Sequence, residues 1–509
     1  MGDTEEPMSI LRDVSLHPPE WNEDGGEIQW VLLDHQAYVA ERHNATTAFS
    51  RTWRGEQFQV TLCLARPPRV SYLCVFCPGF EHTVFSMEPD ILAMEEDLVL
   101  LRVIVSSKWE FLDDADYYIY QATDEAAGGG PSLKRLPRPP RPYGFGSHQV
   151  GILRCGARHQ WRDNALCRPH RGTAGDFYIV AALCKERSSM VPEDFVIFLY
   201  NSSSPTIWST HKISVDSNQH GRQYGCYFQH RNSKVISVGG DSGTMGFVDL
   251  WRGIILCDVL KLQQGKTTPP IRYVTLPPPL LPGRADWDDD ARLARDIAVV
   301  QQGRTIRYVE LQVNWKPHPT FRGCYFRDGW VSRIWTRPVD ADCAEDCWKP
   351  GCKQESSDIP IDNNPHFKLL PVMMDHSGMT MEPFKGLFIC QPTLSLSDDD
   401  DLVYFMTKAK SMDGKAWVIA VDMKNNTLQG VDGFAAERTI DFGYMHSRIS
   451  KYLTAGTGTK GNLKRPGTVL LGSSNKKPPG FWMSMPPWDD EQKEHDTEME
   501  VDGDDMILT

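Results

Sequence analysis

Between Lys234 and Leu260 the apolar residues fall into three short runs divided by turn residues. Val235, Ile236 and Val238 lead into Gly239-Gly240, and Asp241-Ser242-Gly243 supplies a turn in which Gly243 can take positive φ without steric cost. Met245, Phe247, Val248 and Leu250 carry the chain back, Trp251-Arg252-Gly253 turns it again, and Ile254, Ile255, Leu256 and Val259 form the third run. Turns this short exclude parallel crossovers, which need roughly a dozen residues, so the stretch predicts an antiparallel meander.

The same pattern extends along the chain. Before the meander, strands are predicted at Ile28 to Leu33, Phe58 to Leu64, Val70 to Phe76, Leu98 to Val105, Asp116 to Gln121, Val150 to Leu153, Phe177 to Leu183, Phe195 to Tyr200 and Trp208 to Ile213. After it come Arg272 to Leu276, Ile297 to Val300, Thr305 to Leu311 and Trp330 to Thr336. Leu387 to Leu394, Asp401 to Ala409, Ala416 to Asp422 and Thr427 to Phe434 form a further meander. His446 to Thr454 is the best helix candidate, with Ile449, Tyr452 and Leu453 at helical spacing. The fold expected is all-β, mostly antiparallel meanders. About twenty strands, four to a sheet, make a β-propeller of roughly five or six blades. Two packed β domains are the alternative, because no residue signature recurs at a fixed period.

Polar and irregular stretches set the boundaries. Residues 1–26 read as a mobile leader, 27–460 as one propeller-like domain, and 461–509 as a disordered tail, acidic from Asp489 to Asp505. A Gly/Pro-rich loop is expected from Glu125 to Ser147, and an insertion with at most a short ordered piece at about 338–383.

Composition narrows the class. Of 509 residues 40% are apolar, and 15 Trp, 21 Phe and 16 Tyr supply a core, while 40 Gly and 35 Pro suit short strands and turns. The net charge of -13 argues against nucleic acid and anionic membrane as partners. The acidic start lacks a secretory signal pattern and no run reaches the length of a membrane span, so an intracellular protein, cytoplasmic or nuclear, is expected. Thirteen cysteines, mostly on strand-like stretches, read as reduced thiols with no structural disulfide.

Candidate chemistry is sparse. Cys74 and Cys77 have CxxC spacing, but they sit in an apolar strand with no second pair, so they read as buried thiols. Cys343, Cys347 and Cys352, with His366 and His376 downstream, could converge on zinc, although their spacing matches no common finger. Asp398 to Asp401 lacks the alternating order of a calcium loop and reads as a turn in which Ser397 or Asp398 bonds its own backbone. Lys134, Arg135, Arg138 and Arg141 read as a solvated loop, and His35 and His446 as satisfied polar residues. Gly239 to Gly243 ends in a strand instead of opening a helix, so it gathers no amides for phosphate. No catalytic, cofactor-binding or metal residue is therefore assigned.

Several stretches together carry a resemblance: WVLLDHQAYVAERHNATTA from Trp30, RPPRVSYLCVFCPG from Arg66, DYYIYQA from Asp116, PSLKRLP from Pro131, KVISVGGDSGTMGFVDLWRGIILCDVL, RYVTLPPPLLPG from Arg272, RDIAVV from Arg295, PTLSLSDDDDLVYFM and WVIAVDMKNNTLQGV. With them the chain resembles the plant, mostly grass, family carrying the domain of unknown function 1618. The resemblance implies no activity and no catalytic residues to carry over, and the Cys-rich stretch after Pro338 departs from it.

Two functional classes follow. A non-catalytic scaffold would bind another protein through its loops, as a monomer, and show an apolar or aromatic-lined face; a hydrolase-like enzyme would gather titratable side chains from several propeller loops into one pocket. The first is preferred. The long loops near Arg138 and Arg162 and the insertion after Pro338 are its expected contact points.

Overall fold

A computed structural model describes residues 11–454, apart from 22–25, 81, 106–114, 125–128, 141–143, 156–176, 206, 216–227, 240–242, 264–270, 281–289, 302, 319–321, 342–346, 375–377 and 439–442. The leader to residue 10, the tail from 455 and the His/Arg stretch around Arg162 lie outside the described residues.

The strands form six sheets. Five are four-stranded antiparallel meanders, spanning 90–135 (blade 2), 150–214 (blade 3), 234–275 (blade 4), 295–355 (blade 5) and 388–435 (blade 6). The first strand of each touches the first strand of the next, so Asp90–Glu95, Val150–Cys155, Lys234–Gly239, Arg295–Val300 and Phe388–Leu394 form the inner wall of a ring. Blade 1 closes it. Val31–Asp34 pairs antiparallel with Tyr444–Ser447 and parallel with Val70–Phe76, so both ends of the described chain share one sheet. The joint to blade 2 is made by the bridge between Gln36 and Asp90 and by the Ile91 amide donating to the His35 carbonyl at 2.9 Å. The molecule is a six-bladed β-propeller.

The opening meander is blade 4. Lys234–Gly239, Thr244–Asp249 and Gly253–Asp258 pair antiparallel in sequence order. All six positions of each of the latter two strands are buried, because a blade is covered on both faces. The period of two decides which neighbour each residue meets: Met245, Phe247, Ile255 and Cys257 pack with Ile179 and Ile197 of blade 3, whereas Val248, Ile254 and Leu256 pack with Ile297 and Tyr308 of blade 5. Gly243 has φ +59°, and a Cβ there would lie 2.6 Å from Leu260 Cγ and 2.8 Å from Leu153 Cδ2. Glycine is required twice over, by the turn and by close packing.

Three expectations change. The helix candidate from His446 starts as strand, since His446 and Ser447 end the strand that pairs with Val31–Asp34, and its helical part is Ser450–Thr454. Tertiary pairing overrides the local spacing there. The loop from Glu125 holds the outer strand of blade 2, Gly130–Arg135, in which Arg135 pairs with Tyr118. The stretch at 338–383 likewise begins with the outer strand of blade 5, Lys349–Glu355, and continues through 3-10 turns at Ser356–Asp358 and Pro365–Leu369. It is anchored, because Ile359, Leu370 and Phe384 are buried in the core shared by blades 5 and 6 and the Asn364 amide donates to the Leu428 carbonyl at 2.9 Å.

Candidate functional site

Ionisable side chains from separated blades meet where the inner strands face the axis. Lys234 begins the inner strand of blade 4, Asp296 is second on that of blade 5, and His446 lies on the closing strand of blade 1. Lys234 Nζ donates to Asp296 Oδ1 at 2.7 Å and to His446 Nε2 at 3.1 Å. Blades 4 and 1 are not neighbours, so the latter contact crosses the centre of the ring. The imidazole Nδ1 donates to the Leu394 carbonyl at 3.0 Å, and Asp296 Oδ2 accepts from the Leu394 amide at 3.0 Å. Burial, with the Lys234 ammonium beside it, lowers His446 to about 3. The ring is thus neutral, and both its nitrogens are engaged, which leaves no lone pair for a substrate.

A second group lies at the same end, where the inner strands begin. Asp90 pairs with Arg102, and Arg292 is held by Asp290 at 2.6 Å while its Nη1 donates to Ser147 Oγ at 3.3 Å. His35 and His148 are each lowered to about 4, chiefly by burial. Asp90 and Asp290 each have a cationic partner, and the Arg292–Ser147 bond links the segments that lead into blades 5 and 3.

The residues singled out in the sequence are dispersed by the fold. Cys74 and Cys77 are three apart, which in extended chain sends them to opposite faces: Cys74 joins a cluster with Tyr38, Cys63 and Tyr72, and Cys77 joins the core of blades 1 and 2. The thiol neighbour of Cys74 is therefore Cys63, on the adjacent strand, a proximity that only the hairpin register could have shown. Cys347 is disulfide-bonded, which corrects the expectation of no disulfide; the nine other described cysteines are free, so its partner lies outside the described residues, as Cys343 does. A disulfide sulfur is not a thiolate ligand, and Cys352 instead donates to Asp401 Oδ2 at 3.8 Å, its thiol pushed up by burial and by that carboxylate. His366 is the second residue of the 3-10 turn Pro365–Leu369, and His376 lies outside the described residues. Among the described residues no three His, Cys, Asp or Glu side chains are arranged to hold a metal.

The aspartate run is tied both locally, where Ser397 Oγ accepts from the Asp399 amide at 3.3 Å, and to blade 5, where Asp398 Oδ1 accepts from the Gln301 amide at 2.6 Å. Arg138 contacts Asp116 at 3.3 Å and lies 5.3 Å from the Trp53 ring centroid, while Arg141 is outside the described residues. Gly239 ends its strand, and residues 240–242 are outside the described residues.

Two further features were not visible in the sequence. A cavity of about 320 Å³ on blade 1 is lined by Leu16, Val39, Phe76, Cys77, Phe80 and Phe85, with His82 as its one imidazole. Its lining residues are separate from the ionisable groups at the axis. The anchored stretch after blade 5 exposes Ile361, Leu369, Val372, Met374 and Met379, which are five of the twelve exposed large apolar side chains among the described residues. No helix of the described residues is long and apolar enough to cross a membrane.

No curated protein matches this chain. Among solved structures, it is similar to the hydrazine synthase of Kuenenia stuttgartiensis at 11% identity, with 80% of each chain covered and a TM-score of 0.29. A GDP-Man-dependent mannosyltransferase of Leishmania mexicana, MPT-1, is similar at 9% identity over 71% of this chain and 84% of that one, with a TM-score of 0.19. Likenesses this distant carry nothing about activity. Residues 247–404, from the second strand of blade 4 through blade 5 to the second strand of blade 6, match the family model described as Protein of unknown function (DUF1618).

Proposed function

We propose that this protein is a non-catalytic intracellular scaffold, a monomer that binds another protein through the segment after blade 5. The observation that supports the reading is the concentration of exposed apolar side chains between residues 361 and 379, on a stretch whose flanks at Ile359 and Phe384 are buried in the propeller core. Scattered exposed apolar residues are ordinary, but five of them concentrated on one anchored stretch suit a docking face. The axial histidine favours the same reading, since both its nitrogens are engaged within the fold. The nine free, mostly buried thiols accord with a reducing compartment, and the Cys347 disulfide counts against one.

The test is a double variant, Val372→Asp with Met379→Asp, at two positions that are 69% and 67% exposed. Thermal unfolding should stay within about 1 °C of the parent, since exposed substitutions change stability little. A partner identified by cross-linking and then purified should bind the variant at least tenfold more weakly. Unchanged affinity would remove the segment from the function. Turnover of a small-molecule substrate by the parent would overturn the scaffold reading altogether.

A further inference from the structure

Beside the seam of blade 1 lies a second cavity of about 240 Å³. Its walls come from four separated stretches: residues 19–21, the first two strands, the hairpin holding Cys63 and Tyr72, and residues 432–435 at the end of blade 6. Trp21, Tyr38 and Tyr72 line it together and pack as one cluster, with Tyr38 and Tyr72 edge to face at 5.2 Å and Phe434 on a further side. The polar handles of two of these rings are already used: Tyr72 Oη donates to the Pro19 carbonyl at 2.8 Å, and Trp21 Nε1 to the Leu64 carbonyl at 3.1 Å. Those bonds fix Trp21 and Tyr72 on the cavity wall, where Trp21 is half-buried and Tyr38 and Tyr72 are 2% and 5% exposed. Three carboxylates, Glu20, Asp34 and Asp432, also line it, against one cation, Arg69, and Asp34 is only 2% exposed.

We infer that this cavity is a binding site for a quaternary ammonium group. Aromatic faces attract a cation through the ring quadrupole, and carboxylates add a long-range field of the right sign. A trimethylammonium carries its charge without N–H donors, so it loses no hydrogen bonds on entering a pocket in which the Trp21 and Tyr72 donors are already bonded to backbone carbonyls. The volume is below the roughly 300–1,000 Å³ of sites that enclose a drug-sized molecule, which suits a head group with its chain leaving through the opening. The inference is independent of the docking segment after blade 5. The group could arrive on a trimethylated lysine of another protein or as a free choline compound, and both share this chemistry.

The experiment titrates the full chain, by calorimetry, with choline, with a short peptide carrying trimethyllysine, and with 3,3-dimethylbutanol, the neutral isostere of choline. At least one ammonium probe should bind tenfold or more tightly than the isostere. Trp21→Ala, on a half-exposed residue outside the strands, should weaken that probe at least tenfold, and Asp432→Asn severalfold. The circular dichroism of both variants should match the parent; if Trp21→Ala fails to fold, Asp432→Asn alone decides. Tighter binding of the peptide would assign the source to a modified protein, and tighter binding of choline to a free head group. Equal binding of the isostere, no binding of either ammonium, or parent affinity in Asp432→Asn would overturn the site.

Discussion

Blade 4 and blade 1 do the same architectural work by different means. Blade 4 is one continuous meander from Lys234 to Thr275, its strands paired with sequence neighbours and its middle two buried at all positions. Blade 1 is assembled from both ends of the described chain, includes parallel pairs, and ties Leu32 to His446 across more than four hundred residues of intervening sequence. Both cavities described above lie against blade 1. A meander leaves little freedom in how its faces fill, whereas a sheet built from separate segments has junctions that side chains close only partly, and such junctions are where a ligand can enter.

The strongest way to break the contrast is to remove the closing strand. A chain ending at Gly443 loses Tyr444 and Ile449, both fully buried, along with the pairing partner of Val31–Asp34. Each large buried side chain is worth about 2–5 kcal/mol, so the loss approaches the roughly 5–15 kcal/mol that holds a whole domain together. Urea unfolding should lose its single cooperative transition. Removing the outer strand of blade 4 leaves the ring closed, and that variant should keep a single transition at a lower midpoint.

Acid should separate the blades more gently. His35 follows the first strand and His446 lies on the closing one, and both remain neutral in the folded protein, at about 4 and about 3. The unfolded chain accepts protons near pH 6.5 that the native protein refuses, so the stability these groups contribute is complete above that pH and falls as pH drops toward the folded values. At pH 5 the two together should remove about 4 kcal/mol, about 2 each. The strands of blade 4 contain no histidine. Amide exchange, corrected for its intrinsic pH dependence, should therefore rise first in Val31–Asp34 and Tyr444–Ser447. Blade 4 opening first, or no change between pH 7 and 5, would mean that the histidines do not hold the seam.

The contrast also explains what could be read in advance. Blade 4 was legible because every signal it uses is local: apolar runs, turn glycines and short connections. The closing strand was not, because Tyr444–Ser447 gains its conformation from a partner near the start of the chain. Lys349–Glu355 was missed for another reason. It is an outer strand with four of its seven positions exposed and only Gln354 buried, so it carries no apolar alternation to read. The ammonium cavity shares both difficulties, since it takes Trp21 from a stretch read as leader and Asp432 from the last blade.

Within blade 4 the contrast can be sharpened at Gly243. An alanine there meets a left-handed backbone and two leucines closer than van der Waals contact. Gly243→Ala should cost about 1–3 kcal/mol, read as a lower urea midpoint with an unchanged slope. A neutral result would mean that the junction of blades 3 and 4 yields as readily as the seam of blade 1.

The smallest effect is expected at Tyr444, where the seam carries a defect that blade 4 lacks. Its ring is fully buried and packs edge to face on Phe434 at 5.6 Å, but its hydroxyl has no hydrogen-bond partner among the described residues. A buried hydroxyl without a partner has lost its hydration and gained nothing in return, so removing it relieves a penalty instead of breaking a bond. Tyr444→Phe keeps the ring and deletes only that oxygen. The unfolding free energy should be unchanged or higher by up to about 1 kcal/mol. Tyr444→Ala, which deletes the ring as well, should lose about 3–5 kcal/mol. If phenylalanine instead cost as much as 2 kcal/mol, the hydroxyl would have a partner, and the seam would be as fully satisfied as the meander it is compared with.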